Sequence, residues 1–128
     1  MLICHPQNPL AKSKSVKLKA LNGQKMVGFE RDIPTRKALD KLLKDHGASA
    51  DYVMEFDNIE TVKRAVEIDS GVAIVPQETI RQEVGNQTLA AVRLEDGEFF
   101  RTIGVIHKRN KVLSPALKQF ITLLKESL

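Results

Sequence analysis

The sequence predicts an α/β fold with a mainly parallel sheet and flanking helices. Three observations lead there. Strand-like and helix-like segments alternate over residues 25–84, in the order strand, helix, strand, helix, strand, helix. The run Val72-Ala73-Ile74-Val75 lacks polar alternation, as does a strand covered on both faces. Finally, 42% hydrophobic and 28% charged residues over 128 positions are ordinary values for one folded domain.

The elements follow in order. Leu2-Ile3-Cys4 is a short apolar strand. Residues 8–24 are polar and rich in Lys and Ser, and read as a linker with one helical turn near Val16, Leu18 and Leu21. Lys25-Met26-Val27-Gly28-Phe29 is a strand. Residues 35–46 carry apolar side chains at Ala38, Leu39, Leu42 and Leu43, a helical stripe. Pro34 suits its first turn and Gly47 the left-handed position past its end. Residues 52–56 form the next strand. Asp57 with Glu60 three positions on is a capping box, so a helix starts there with Ile59, Val62, Ala65 and Val66 inward and Gly71 as its end. After Val75, Pro76 opens a helix closed by Gly85. Residues 89–94 and 101–107 are further strands. Ser114-Pro115 starts the last helix, with Leu117, Phe120, Ile121, Leu124 and Leu128 on one face. Right-handed crossovers then make the sheet over 25–84 parallel.

Several function classes are excluded or unsupported. No apolar run approaches the ~20 residues of a membrane span. The opening Met1-Leu2-Ile3-Cys4, followed at once by His5-Pro6, is too short for a signal peptide. With the lone Cys4 it fits a reducing, cytoplasmic setting and no internal disulfide. Net charge is +4, with Lys12, Lys14, Lys17, Lys19 and Lys25 unopposed up to Phe29 and a second cluster at Lys108, Arg109 and Lys111. One tyrosine and no tryptophan make no stacking platform for single strands, so these lysines read as solvated. No phosphate loop, zinc-protease, serine-hydrolase or CxxC signature occurs. His5, His46 and His107 show no ligand spacing; His46 suits a helix C-terminus. Cys4 reads as a small packed residue. Glu55, Asp57 and Glu60 suggest a metal cluster, but Asp57 and Glu60 have a capping role and Glu55 points away from Phe56 along the strand. No catalytic residue and no cofactor or metal site is expected, and an enzyme is the least supported class.

Open parallel sheets bind ligands at the carboxyl ends of their strands. Three turns fall there: Glu30-Arg31-Asp32-Ile33-Pro34-Thr35-Arg36, Asp57-Asn58-Ile59-Glu60-Thr61, and Pro76-Gln77. Each offers free backbone N–H groups at a helix start, and Arg31, Arg36, Thr35 and Asn58 add donors suited to an anion such as a carboxylate. Asp57 and Thr35 are read as caps of their own helices. For Asn58 and Arg36, capping and ligand contact both stand open.

Taken together these stretches resemble the LysR-type transcription regulators. His5-Pro6…Asn8-Pro9-Leu10-Ala11 is similar to that family's HPLA turn. Leu18…Leu21-Asn22-Gly23 ahead of the Lys25 strand also fits. The most specific match is Glu55-Phe56-Asp57-Asn58-Ile59-Glu60-Thr61-Val62-Lys63-Arg64-Ala65-Val66-Glu67 followed by Gly71-Val72-Ala73-Ile74-Val75-Pro76. Leu113-Ser114-Pro115-Ala116…Phe120-Ile121…Leu124 resembles the family's closing helix.

The resemblance implies a type-2 periplasmic-binding-protein-like fold of two subdomains around an effector cleft. Residues 25–100 would be the second subdomain, complete; 1–11 and 101–128 would belong to a partial first one. It implies effector contacts at Glu30, Arg31, Pro34, Thr35 and Arg36, at Asp57, Asn58 and Ile59, and nearby at Pro76 and Gln77. It also implies a homo-oligomer, a dimer or tetramer, with DNA reached only through a DNA-binding head that has no counterpart here. Asp69-Ser70-Gly71 departs from the family's usual small-residue and glycine run. The alternative is a free-standing solute-binding module of the same fold with no DNA-binding role.

Overall fold

A computed structural model describes residues 1–101 and 103–127 of the chain. It divides into two compact units, Met1–Glu98 and Phe99–Leu128.

In the first unit, strands β1 (Leu2–Cys4), β2 (Ser15–Val16), β3 (Lys25–Phe29), β4 (Asp51–Phe56), β5 (Ala73–Ile74) and β6 (Ala90–Leu94) alternate with helices α1 (Pro34–Asp45), α2 (Ile59–Glu67) and α3 (Arg81–Gly85). A four-stranded sheet runs β2-β6-β1-β5 and a two-stranded one pairs β3 with β4. They join at a parallel bridge between Met26 and Val72, with Val27 N donating to Val72 O at 2.8 Å and Val72 N to Lys25 O at 2.9 Å. β3–β4 and β2–β6 are parallel, while β1 runs antiparallel to both β5 and β6.

The strand side chains sort into two apolar layers. Leu2, Cys4, Met26, Val72, Ile74 and Val92 pack with Leu18, Leu21 and Leu43 on one face. Ile3, Val27, Phe29, Ala73 and Val75 pack with Val62, Ala65, Val66 and Ile80 on the other. Residues 72–75 are therefore covered on both sides, as the unbroken apolar run requires. Each fully buried leucine, isoleucine or valine contributes on the order of 1.5–3 kcal/mol.

Fully buried Leu2, Ile3 and Cys4 form the strand between β5 and β6 within Met1–Glu98. An apolar strand with its edges open would leave backbone groups unpaired, and this position pairs both. Residues 8–24 are not a linker. Asn8 caps a 3-10 turn at Pro9–Lys12 through Leu10 N at 3.0 Å. β2 follows, then a second turn at Leu18–Leu21, tied down by Leu18 N donating to Asp96 Oδ2 at 2.6 Å. Lys12, Lys14, Lys17 and Lys19 of this region, and Lys25 after it, are exposed.

Helix ends also differ. α1 stops as expected at Gly47, with φ of 64°. Ala48 N donates to Leu43 O and Gly47 N to Lys44 O, the pair of hydrogen bonds that closes a Schellman end. α2 and α3 end the same way, but the left-handed residue is neither Gly71 nor Gly85. Asp69 and Gln87, each with φ of 60°, take the left-handed position. Ser70 N bonds Ala65 O and Thr88 N bonds Glu83 O.

In the second unit, α4 spans Pro115–Glu126, capped by Ser114 Oγ accepting from Leu117 N at 3.3 Å. Leu117, Ile121 and Leu124 are its part-buried side chains and Phe120 is exposed; Leu128, expected on the same face, lies outside the described residues. The strand expected over 101–107 is not formed among its described residues, and Ile103, Val105 and Ile106 are exposed. Strand conformation is held by a neighbour's backbone, and no described strand pairs with this segment. Thr102 is outside the described residues.

Candidate functional site

Parallel pairing carries the ends of β3, β4 and β5 to one edge of the sheet. All three turns singled out in the sequence emerge there. Glu30 N donates to Phe56 O at 3.0 Å, fastening the first turn to the end of β4. Glu30, Arg31, Asp32, Pro34, Asp57, Asn58 and Gln77 are exposed, and Thr35, Ile59 and Pro76 part-buried. The first two turns lead into α1 and α2. The third leads into a 3-10 turn, Gln77–Ile80, before the five-residue α3.

The two arginines of the first turn have different fates. The Arg36 side chain is only 6% exposed. Its Nη1 donates to Phe29 O at 2.7 Å and to Glu55 Oε1 at 2.8 Å, and its Nε to Asp40 at 2.9 Å. Its guanidinium lies 3.5 Å from the centroid of the Tyr52 ring, a cation–π contact. Burial opposes this charge, but the bonds to Glu55 and Asp40 outweigh it and hold the guanidinium above the usual arginine pKa. Between its two sequence readings the structure supports neither capping nor a free donor: Arg36 clasps α1 to β3 and β4. Arg31 instead is 85% exposed, and its ion pair with Glu55 is loose at 3.9 Å.

Capping is also redistributed. Asn58, not Asp57, is the N-cap of α2: its Oδ1 accepts from Thr61 N at 2.9 Å and from Thr61 Oγ1 at 3.0 Å. Asp57 supports it, Oδ1 accepting from Asn58 Nδ2 at 2.7 Å. The amide side chain can accept and donate at once, whereas a carboxylate can only accept. Thr35 caps nothing. The N-cap of α1 is Ile33, with no side-chain bond, and Pro34 sets the first helical φ instead.

Sequence reasoning missed three participants. Tyr52 and Glu55 complete the Arg36 clasp. Lys63, with a side chain only 7% exposed, donates to Glu83 Oε1 at 2.7 Å and Thr79 O at 3.0 Å, and forms an ion pair with Glu60 Oε1 at 2.9 Å. The spacings Arg36/Asp40 and Glu60/Lys63 were the available signals. A cavity of about 360 Å³ lies beside Lys63 between α2 and α3, lined by Arg64, Glu67, Arg81 and Thr88 among others. Cys4 packs in the core, where burial first and Asp69 second push its thiol pKa up. Among the described residues no three His, Cys, Asp or Glu side chains are placed to hold a metal, and no helix is long and apolar enough to cross a membrane.

Known proteins place this architecture. The model of the LysR substrate binding domain matches residues 1–128. The HTH-type transcriptional regulator YeiE of Escherichia coli (strain K12) is 33% identical over 116 residues, 91% of this chain and 39% of that protein. The RuBisCO operon transcriptional regulator of Allochromatium vinosum is 28% identical over 120 residues, 94% of this chain and 40% of that protein. The chain thus spans about two fifths of the length of these relatives. Among solved structures, the effector binding domain of QuiR in complex with shikimate has a TM-score of 0.81 at 18% identity, over 98% of this chain and 59% of that one. The CcmR regulatory domain of Synechocystis PCC6803 in complex with 2-PG has a TM-score of 0.78 at 20% identity, over 98% and 61%. These likenesses show the type-2 periplasmic-binding-protein-like fold, and with the full-length family match they establish that the chain belongs to the LysR substrate-binding domain family of transcription regulators.

Proposed function

We propose that this chain senses a small anionic metabolite at the edge formed by Glu30, Arg31, Pro34, Thr35 and Arg36, by Asp57, Asn58 and Ile59, and by Pro76 and Gln77. The observation that carries the reading is the convergence of these turns, with Arg31 left exposed while Arg36 is engaged by Glu55, Asp40 and Phe29. In this division of labour Arg31 and the backbone N–H groups opening α1 and α2 contact the anion, and Arg36 holds the turn in shape. The ligands named for the similar domains, 2-PG and shikimate, support a small organic effector.

Within a longer regulator this chain supplies the second subdomain of the cleft, and α4 with residues 101–113 belongs to the first. The effector shifts the relative angle of the subdomains and so the geometry of a dimer or tetramer on DNA, reached through a separate DNA-binding head in the cytoplasm. A ligand does this only by preferring one arrangement over the other. The test is a thermal-shift and calorimetric screen of small carboxylates, sulfate and phosphate esters against the full-length regulator and its Arg31→Ala variant. Stabilisation by one anion, lost in Arg31→Ala, supports the reading. A panel with no stabilising anion, or one bound equally by Arg31→Ala, overturns it.

A further inference from the structure

We propose that Lys63 is a positioning residue that sets the spacing between two of the effector turns, residues 57–59 and 76–77. The inference rests on the site reading above and concerns how that site keeps its shape.

The ammonium of Lys63 touches three elements, hydrogen-bonding Thr79 O and Glu83 and pairing with Glu60. Glu60 lies in the first turn of α2, Thr79 in the 3-10 turn Gln77–Ile80, and Glu83 in α3. Thr79 in turn bonds back to Pro76 O, through its N at 3.1 Å and its Oγ1 at 2.7 Å. A continuous chain of directional bonds therefore runs from Pro76 through Thr79 and Lys63 into the helix that Asn58 caps. Val62, Val66 and Ile80 pack beneath it, and apolar packing holds elements together without fixing their register.

A buried charge is a costly way to obtain mere cohesion. Apolar side chains of similar volume at both positions commonly hold such elements as firmly or more firmly. What they lack is direction. Glu83 Oε1 accepts from Lys63 at 2.7 Å, while its Oε2 is buried with no hydrogen-bond partner among the described residues.

The experiment compares the chain with Lys63→Met/Glu83→Leu and Lys63→Arg, by thermal unfolding and by amide hydrogen exchange without any ligand. The amides read are those of Thr61, Val62 and Thr79, whose bonds to Asn58 and Pro76 define the two turns. The double variant should unfold near the wild-type temperature while these amides exchange on the order of tenfold faster, and Lys63→Arg should restore most of the protection. Unchanged exchange at these amides, or a rise spread evenly over the chain, overturns the proposal. If the double variant does not fold, Glu83→Gln carries the same comparison. Inorganic phosphate is then titrated into each form. Binding weakened about threefold to tenfold in the double variant supports the proposal, and equal binding overturns it. A wild type that binds no phosphate counts against the effector reading, and the exchange result then judges Lys63 alone.

Discussion

Tyr52 and Glu55, three residues apart on β4, face the same side of the sheet. A regular strand would put them on opposite sides. The register explains it: Met26 pairs with Tyr52 but Val27 pairs with Met54, so Val53 is an extra residue opposite none. A bulge of one residue inverts the alternation beyond it. Arg36 exploits this, stacking on Tyr52 and bonding Glu55 at once. Arg36→Lys should lower stability by roughly 1–3 kcal/mol, because an ammonium can neither stack flat nor reach Phe29, Asp40 and Glu55 together. The urea midpoint measures this; an unchanged midpoint would mean that the clasp contributes no stability.

The Tyr52 phenol is pushed up to about 12, by burial first and then by Asp40. As the chain has one tyrosine and no tryptophan, alkaline ultraviolet titration reads this group alone. The folded value lies above the unfolded one near 10, so the protonated phenol favours the native state. That contribution is whole below pH 10 and is lost as pH rises toward 12. A Cβ on Gly28 would overlap the Tyr52 ring. Gly28→Ala should therefore displace the ring and bring the titration midpoint back toward the ordinary phenol value.

Removing the cap of α2 separates the two candidates for that role. Asn58→Ala should cost about 1 kcal/mol, the usual value for a lost N-cap, and Asp57→Ala a few tenths. Chemical unfolding of the two variants gives both numbers. The reverse ranking would return the cap to Asp57.

The left-handed ends of α2 and α3 are occupied by residues that resist that conformation. Asp69→Gly and Gln87→Gly should each raise stability, by about 0.5–1 kcal/mol, with the larger gain at Gln87 because aspartate tolerates positive φ better. Gly47→Ala should lower it by about 1 kcal/mol. Melting temperatures of the three variants decide the matter, and a loss at either Asp69→Gly or Gln87→Gly would contradict it.

Much of this was legible in the sequence for identifiable reasons. The strand at 25–29, the unbroken run at 72–75 and the Pro34-to-Gly47 helix are written in local patterns of period and punctuation. The edge carrying the three turns followed from the strand–helix alternation alone. What stayed hidden depends on partners distant in the chain. Residues 8–24 look like a linker until Asp96 and Leu94 are seen to bind them. Val53 gives no sign of a bulge, so the meeting of Tyr52, Glu55 and Arg36 could not be read. The burial of Lys63 could not be read because its second counter-ion, Glu83, lies twenty residues away on α3. Asn58 and Asp57 are both competent caps by residue type, and only the backbone decides between them.

The position of Leu2–Cys4 also constrains how the molecule assembles. Its two neighbours, Ala73–Ile74 and Ala90–Leu94, come some seventy to ninety residues later. No hairpin can recruit it, and closing such long loops is entropically slow. The helices and the β3–β4 pair can gather early from nearby segments, whereas the middle of the sheet waits for the two ends of the unit to meet. Docking of this one tripeptide is thus the event that turns separate βα pieces into a single cooperative body.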